Sequence, residues 1–172
     1  MGKELYVICD NIRSLENIGS IFRTADALGV AKIFLCGISG KPPHHKISKT
    51  ALGAEKNVPW EYYRQTWRLI DKMKKEPSFA KGLGGGTKIN IVALEQDLPA
   101  RQAGKKAVVY TKFKSRFPLA LIVGNEVKGI SKKILKKADK IIFLPMSGQK
   151  ESLNVSVAFG IAGYEIIKNI KK

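Results

Sequence analysis

LALIVGNEVKGIS, residues 119–131, and IIFLPMSGQKESLNVSVAFGIAGYE, residues 141–165, are joined by a short basic spacer. Each opens on an apolar run, Leu119–Val123 and Ile141–Leu144, with the length and β-branched content of a buried strand. Each run empties into a polar loop that carries glycine: Gly124–Asn125–Glu126 after the first and Ser147–Gly148–Gln149 after the second. Ligand sites in open α/β sheets form beyond the carboxyl ends of strands, so two such loops can meet over one pocket. That convergence is where the chemistry of this chain is expected.

The rest of the chain reads as framework for the same sheet. Glu4–Cys9 is a short apolar strand. Asn17 is placed to cap a helix whose Ile18, Ile21, Phe22, Ala25 and Leu28 keep helical spacing and which Gly29 can end. Ala31–Cys36 is the next strand, so the chain begins β-α-β with a parallel pair. Further on, Ile47–Glu55 predicts a short helix, Trp60–Tyr63 a strand, Gln65–Lys75 an amphipathic helix and Ile89–Leu94 a strand. Ala107–Tyr110 is a minor strand, Lys132–Ala138 a helix, and a closing helix runs from about Ser152 to Ile170. Gly160 and Gly163 lie three apart on that last helix, which suggests close approach of another helix, with a second subunit as one candidate. For the aromatic residues Trp60, Tyr62, Tyr63 and Trp67, core packing is favoured over base stacking. GLGGGT at Gly82–Thr87 lacks the GxxxxGK[ST] order and precedes a strand, so it reads as a turn and not a phosphate loop. One α/β domain spanning residues 1–172 is the expected organisation.

Charge narrows the partner. The chain carries 31 Lys+Arg against 14 Asp+Glu, a net charge of +17 with a pI near 10.0. A field of that sign gathers polyanions, of which nucleic acid is the commonest; a solubility surface is the bland alternative. Lysine outnumbers arginine, which favours attraction to phosphate over base readout. Cys9 and Cys36 lack CxxC spacing and read as buried thiols in a reducing compartment. The charges at Lys3, Glu4, Asp10 and Arg13 do not suit a signal peptide, and no apolar run reaches the ~20 residues of a membrane span. A cytoplasmic location is expected.

Three polar clusters interrupt the apolar framework: Asn17 with Arg23, Asn125 with Glu126, and Ser152 with Asn154. The histidines, His44 and His45, are adjacent and without cysteine or carboxylate neighbours, so neither a hydrolytic triad nor a metal site is expected. No carboxylate pair suits glycoside hydrolysis, and no GxGxxG follows the first strand, which weakens a dinucleotide-dependent oxidoreductase. What remains suits a nucleoside-like cofactor and a polyanionic substrate.

NIGSIFRTADALG (Asn17–Gly29), LIVGNEVKGIS (Leu121–Ser131) and FLPMSGQKESLNVSVA (Phe143–Ala158) resemble the three motifs of the SpoU-type RNA ribose 2′-O-methyltransferases of the SPOUT superfamily. TALGAE (Thr50–Glu55) and VALEQ (Val92–Gln96) resemble segments that lie between those motifs. The resemblance covers the whole catalytic domain in the family's order. It implies a three-layer α/β/α fold on a parallel sheet with a carboxyl-terminal trefoil knot, which strand-by-strand reading would not propose because knots are nearly absent among folds. It also implies S-adenosylmethionine held in the knot, transfer of its methyl to a ribose 2′-hydroxyl in tRNA or rRNA, and a homodimer whose active site is completed across the interface. A non-catalytic RNA-binding protein of the same fold is the alternative.

By the same resemblance Leu94, Gly124, Leu144, Met146 and Leu153 would hold the methyl donor, chiefly through backbone groups, while Asn17, Arg23, Glu126, Ser152 and Asn154 would carry catalysis. Arg23 is expected to grip phosphate and stabilise alkoxide charge, since a guanidinium holds its proton too firmly to serve as a base. Asn17 would hold loop and arginine, Glu126 would accept backbone or asparagine hydrogen bonds, and Ser152 and Asn154 would orient the ribose and the last helix. Lys128, Lys132, Lys133 and Lys136, with Lys137, flank the second motif and are the expected RNA contacts. Val127 stands where many relatives have glycine. The chain starts almost at its first strand, so no separate amino-terminal RNA-binding domain is expected.

Overall fold

In the computed structural model, residues 4–76, 88–96 and 107–168 are described. In order they form β1 (Leu5–Asp10), α1 (Leu15–Leu28), β2 (Lys32–Cys36), α2 (His45–Ala51), α3 (Ala54–Asn57), β3 (Trp60–Tyr63) and α4 (Thr66–Lys75). Then follow β4 (Asn90–Leu94), β5 (Ala107–Val109), a 3-10 turn (Tyr110–Lys112), β6 (Leu119–Val123), α5 (Lys132–Lys137), β7 (Lys140–Phe143) and α6 (Val155–Lys168). The strands make one seven-stranded sheet in the order β3-β2-β1-β6-β4-β7-β5, and every pairing is parallel.

β6 reaches its place from far along the chain. It inserts between β1 and β4, with Leu5 opposite Leu119 on one side and Asn90 opposite Leu119 on the other. All five of its residues are buried, as a central parallel strand covered on both faces requires. Side-chain alternation then builds two cores. Leu5, Val7, Cys9, Leu121 and Val123 pack with apolar residues of α1, α2, α3 and α6. Tyr6, Ile8, Ala120 and Ile122 pack with Leu69, Ile70 and Met73 of α4 and Ile134 of α5. The expected three layers are therefore present.

Local boundaries differ from expectation where a side chain or backbone turn intervenes. Ser14, not Asn17, caps α1: its hydroxyl accepts from the Asn17 amide at 3.1 Å. The helix expected over Ile47–Glu55 breaks into α2 and α3, because Leu52 adopts φ 52° and Gly53 φ 93°. The last helix begins at Val155 and not at Ser152, with Asn154 accepting from the Ser156 amide at 2.9 Å. Its glycine face meets α1 of the same chain: a Cβ on Gly163 would lie 2.6 Å from Leu28 Cδ1. The segment Gly82–Thr87 and the part of the expected last helix after Lys168 lie outside the described residues. Among the described residues no helix is long and apolar enough to cross a membrane.

Candidate active site at the carboxyl ends of the strands

A cleft of about 780 Å³ opens where β4, β6 and β7 end and α6 begins. Leu94, Gly124, Leu144 and Leu153 line it, together with Ser152 and Asn154. Of the residues expected around a cofactor, Met146 does not line the cleft; it is half-buried against the core below.

The loop after β6 is folded back on itself. A Cβ on Gly124 would sit 2.7 Å from the Gly129 carbonyl carbon and 2.8 Å from the Ile130 nitrogen, both backbone atoms that cannot give way. Gly129 adopts φ 61°, where a side chain is strained, and lies against the Glu95 carboxylate. Asn125 Oδ1 accepts from the Val127 and Lys128 amides at 3.0 and 2.9 Å, and its Nδ2 donates to the Asn11 carbonyl at 2.7 Å. Val127, in place of glycine, points outward and is 75% exposed, so it disturbs none of this.

Glu126 ties the loop after β6 to the start of α1. Its Oε2 accepts from the Arg13 amide at 2.9 Å, and its Oε1 accepts from the Ser14 amide at 2.9 Å and from Asn17 Nδ2 at 3.0 Å. Burial pushes this carboxyl up, but the three donors together outweigh it and hold Glu126 below the usual glutamate range. Asn17 Oδ1 in turn accepts from Asn154 Nδ2 at 3.0 Å, and Asn154 Oδ1 caps α6. The first turn of α1, the β6 loop and the start of α6 are thus one hydrogen-bonded unit. Arg23 stands apart: it lies on the exposed face of α1 and is not among the residues lining the cleft. Ser152 is exposed at the cleft and does not cap the helix.

Two residues that carry this architecture drew no role from the sequence. Glu95 is only 8% exposed; its Oε2 accepts from the Ile130 amide at 2.5 Å and its Oε1 from the Gln96 amide at 2.8 Å. Gln96 pairs with Leu144 on both backbone groups, donating from Nε2 to the carbonyl at 2.5 Å and accepting from the amide at 3.3 Å. Together they tie the end of β4 to the loops after β6 and β7. The available signal was a polar pair directly after the apolar strand IVAL.

Of the lysines expected to meet RNA, Lys128 lines the cleft, while Lys132, Lys133 and Lys136 are exposed on α5. Lys133 is already engaged, its ammonium 3.7 Å from the centre of the Trp67 ring, and Lys137 is paired with Asp71. His44 caps α2 through Nδ1 and stacks on His45. Among the described residues no three His, Cys, Asp or Glu gather as for a metal ion. Burial raises the Cys9 thiol and takes Cys36 to about 12, so both are neutral core groups.

The sequence profile described as the SpoU rRNA Methylase family matches residues 4–164. The chain is 35% identical over 164 residues to the tRNA (guanosine(18)-2'-O)-methyltransferase of Aquifex aeolicus, covering 95% of this chain and 68% of that protein. It is 29% identical to the putative TrmH family tRNA/rRNA methyltransferase YacO of Bacillus subtilis, over 95% of this chain and 58% of that one. In structure it resembles the AdoMet-bound rRNA methyltransferase from Sinorhizobium meliloti, with TM-score 0.80 and 26% identity over 99% of this chain and 58% of that chain. The chain therefore spans little more than half the length of the Bacillus and Sinorhizobium proteins.

Proposed function

The chain belongs to the SpoU rRNA methylase family, and on that premise we propose that it transfers a methyl group from S-adenosylmethionine to a ribose 2′-hydroxyl of tRNA or rRNA. The observation that carries this reading is the cleft itself: apolar walls and polar groups line it together, with a glycine that no Cβ could replace and carboxylates among its lining. Leu94, Leu144 and Leu153 offer apolar walls to an adenine, and the loop amides and carbonyls offer hydrogen bonds. Glu126 and Glu151 give negative charge near a ligand that carries a sulfonium and an ammonium. These residues fit S-adenosylmethionine, which when bound supplies an electrophilic methyl group.

The chain's own work is alignment, exclusion of water and management of the hydroxyl proton. Arg23 stabilises phosphate and developing alkoxide charge as a fixed cation. Asn17, Glu126 and Asn154 position the first turn of α1 against the cleft, and Ser152 orients the ribose at its mouth. Arg23 is exposed and away from the cleft of its own chain, so on this reading a homodimer completes each site. Val157, Ile161 and Tyr164, spaced four and three residues apart on α6, are 50%, 38% and 56% exposed and form the apolar stripe such a dimer would bury. We further propose that the carboxyl-terminal part is tied in a trefoil knot, supported by the late strands β6 and β7 flanking β4. The compartment on this reading is the cytoplasm, where tRNA and rRNA reside.

Arg23→Ala tests the assignment. Methyl transfer to unmodified tRNA and rRNA transcripts should fall by roughly 100- to 1,000-fold, with S-adenosylmethionine affinity, measured by calorimetric titration, unchanged. Unchanged turnover removes Arg23 from the mechanism. Failure of the wild-type dimer to bind S-adenosylmethionine at all returns the chain to a non-catalytic RNA-binding role.

A further inference from the structure

A second cleft lies at the opposite end of the sheet. It has a volume of about 400 Å³ and is lined by Asn90, Val92, Val108, Lys112, Phe113, Lys114, Arg116, Asp139 and Lys140. Asn90 opens β4 and Leu94 closes it, so this cleft is separated from the candidate active site by the length of that strand, ~13 Å. Its floor is apolar, made by Val92 and Val108 with the half-buried Phe113.

The charge on its walls is one-sided. Asp139, the acid among the lining residues, is already spent: its Oδ1 holds the Lys74 ammonium at 2.8 Å and its Oδ2 accepts from the Ile91 amide at 2.9 Å. Lys112, Lys114, Arg116 and Lys140 have no carboxylate partner among the described residues. The contrast with the α4–α5 face is physical. There Lys74 and Lys137 are bound to Asp139 and Asp71, and Lys133 covers Trp67. Four uncompensated cations around an apolar floor with an aromatic ring match a sugar-phosphate chain that can lay a base on the ring.

We propose that this cleft is a second RNA-contact site, in which Lys112, Lys114, Arg116 and Lys140 take backbone phosphates and Phe113 takes a base. It holds substrate RNA at a distance from the methyl-transfer site, and so rests on the RNA-methyltransferase reading given above. The contact is one of backbone and stacking and carries little sequence preference.

The test is titration of the full-length protein with a fluorescein-labelled single-stranded oligouridylate across a range of salt. The double variant K112A/R116A should bind roughly tenfold more weakly at low salt, and the slope of log affinity against log salt should fall by about 1.4, the value for two single-strand phosphate contacts. F113L should weaken binding about fivefold while leaving the slope unchanged, because stacking releases no counterions. A charge-matched control, K49A/K56A on exposed residues of α2 and α3, should change affinity by less than about twofold. Thermal melts and S-adenosylmethionine titrations confirm that each variant is folded with its cofactor cleft intact.

Equal affinity and equal slope for wild type and K112A/R116A overturn the proposal, as does an equal loss in the control pair, which would make the effect one of net charge alone. Uridine monophosphate competing as well as the oligomer would make the cleft a free-nucleotide site and overturn the RNA assignment. Failure of the enzymatic reading has a different signature: the wild type would then bind no S-adenosylmethionine, whatever it does with RNA.

Discussion

Asn90 and Leu94 open and close a single strand, yet the ground beyond its two ends differs sharply in charge and construction. Beyond Leu94 the cleft carries Glu95, Glu126 and Glu151 with Lys128 as its cation, and its loops are laced by side chains bonded to distant backbone. Beyond Asn90 the cleft carries Lys112, Lys114, Arg116 and Lys140, and its acid is spent on the framework. A net charge of +17 is therefore unevenly spread. The end that suits a cationic cofactor is rimmed with carboxylate, and the end that suits a polyanion is not. The first end is also built tightly, because Glu95, Gln96, Asn125 and Glu126 there hold loops in place, whereas the second end has cations whose loss leaves no buried partner behind.

That contrast predicts a gradient of mutational cost. Gly124→Ala should have the largest effect: its methyl would lie against the backbone of Gly129 and Ile130, so the loop must open. A drop in S-adenosylmethionine affinity of about 100-fold, worth ~2.7 kcal/mol, is expected by titration; an unaltered affinity would break the picture of a closed loop. Glu126→Ala comes next, removing the acceptor of three donors from Arg13, Ser14 and Asn17. A loss of about 2 kcal/mol is expected from the denaturant midpoint, trimmed by solvent screening of a partly exposed group. Since the folded carboxyl titrates below its usual range, this stability is present above the ordinary glutamate value and is lost as pH falls through the lowered one. Wild type and variant should therefore converge in acid.

Asp10 belongs to the tightly built end, at the close of β1, and is 2% exposed. Burial raises its carboxyl, against hydrogen bonds from Thr66 Oγ1 at 2.5 Å and Asn11 Nδ2 at 2.9 Å. The raised value means that its contribution to stability is full below the usual aspartate range and lost as pH climbs through the folded value. Asp10→Asn should thus melt above wild type at neutral pH, by about 1 kcal/mol of stability, with the gap closing in acid; a gap that widens in acid would reverse the sign. Lys140→Ala, at the other end of the sheet, should shift stability by less than about 0.5 kcal/mol. A larger loss would show that the cationic cleft is part of the framework after all.

How far all this was legible varies from residue to residue. The strand Leu119–Val123 was readable because burial on both faces forces an unbroken apolar run. The buried face of α1 was readable because Ile18, Ile21, Phe22, Ala25 and Leu28 repeat at helical spacing. Helix starts were less so: Ser14 and Asn17 are both capping types, and only the folded chain shows that Asn17 is drawn away to Glu126 and Asn154. Glu95 and Gln96 went unread because their partners, Ile130 and Leu144, lie 35 and 48 residues further on. The close approach of a helix to Gly163 was readable, but that the helix is α1 of the same chain, at Leu28, was not: a glycine face says that something comes close, not what.

By itself the sequence determined the parts: a basic α/β domain, parallel strands, buried thiols, polar loops after two central strands, and the motifs that carry the family resemblance. These follow from local periodicity and residue chemistry, which need no knowledge of distant neighbours. Only the tertiary structure decided where β6 goes, between β1 and β4, and so which loops share a cleft. It also decided that Glu126 would reach Arg13 across 113 residues and Asn154 reach Asn17 across 137. Contacts of that span leave no period in the chain, because strand order is set by how whole faces bury one another.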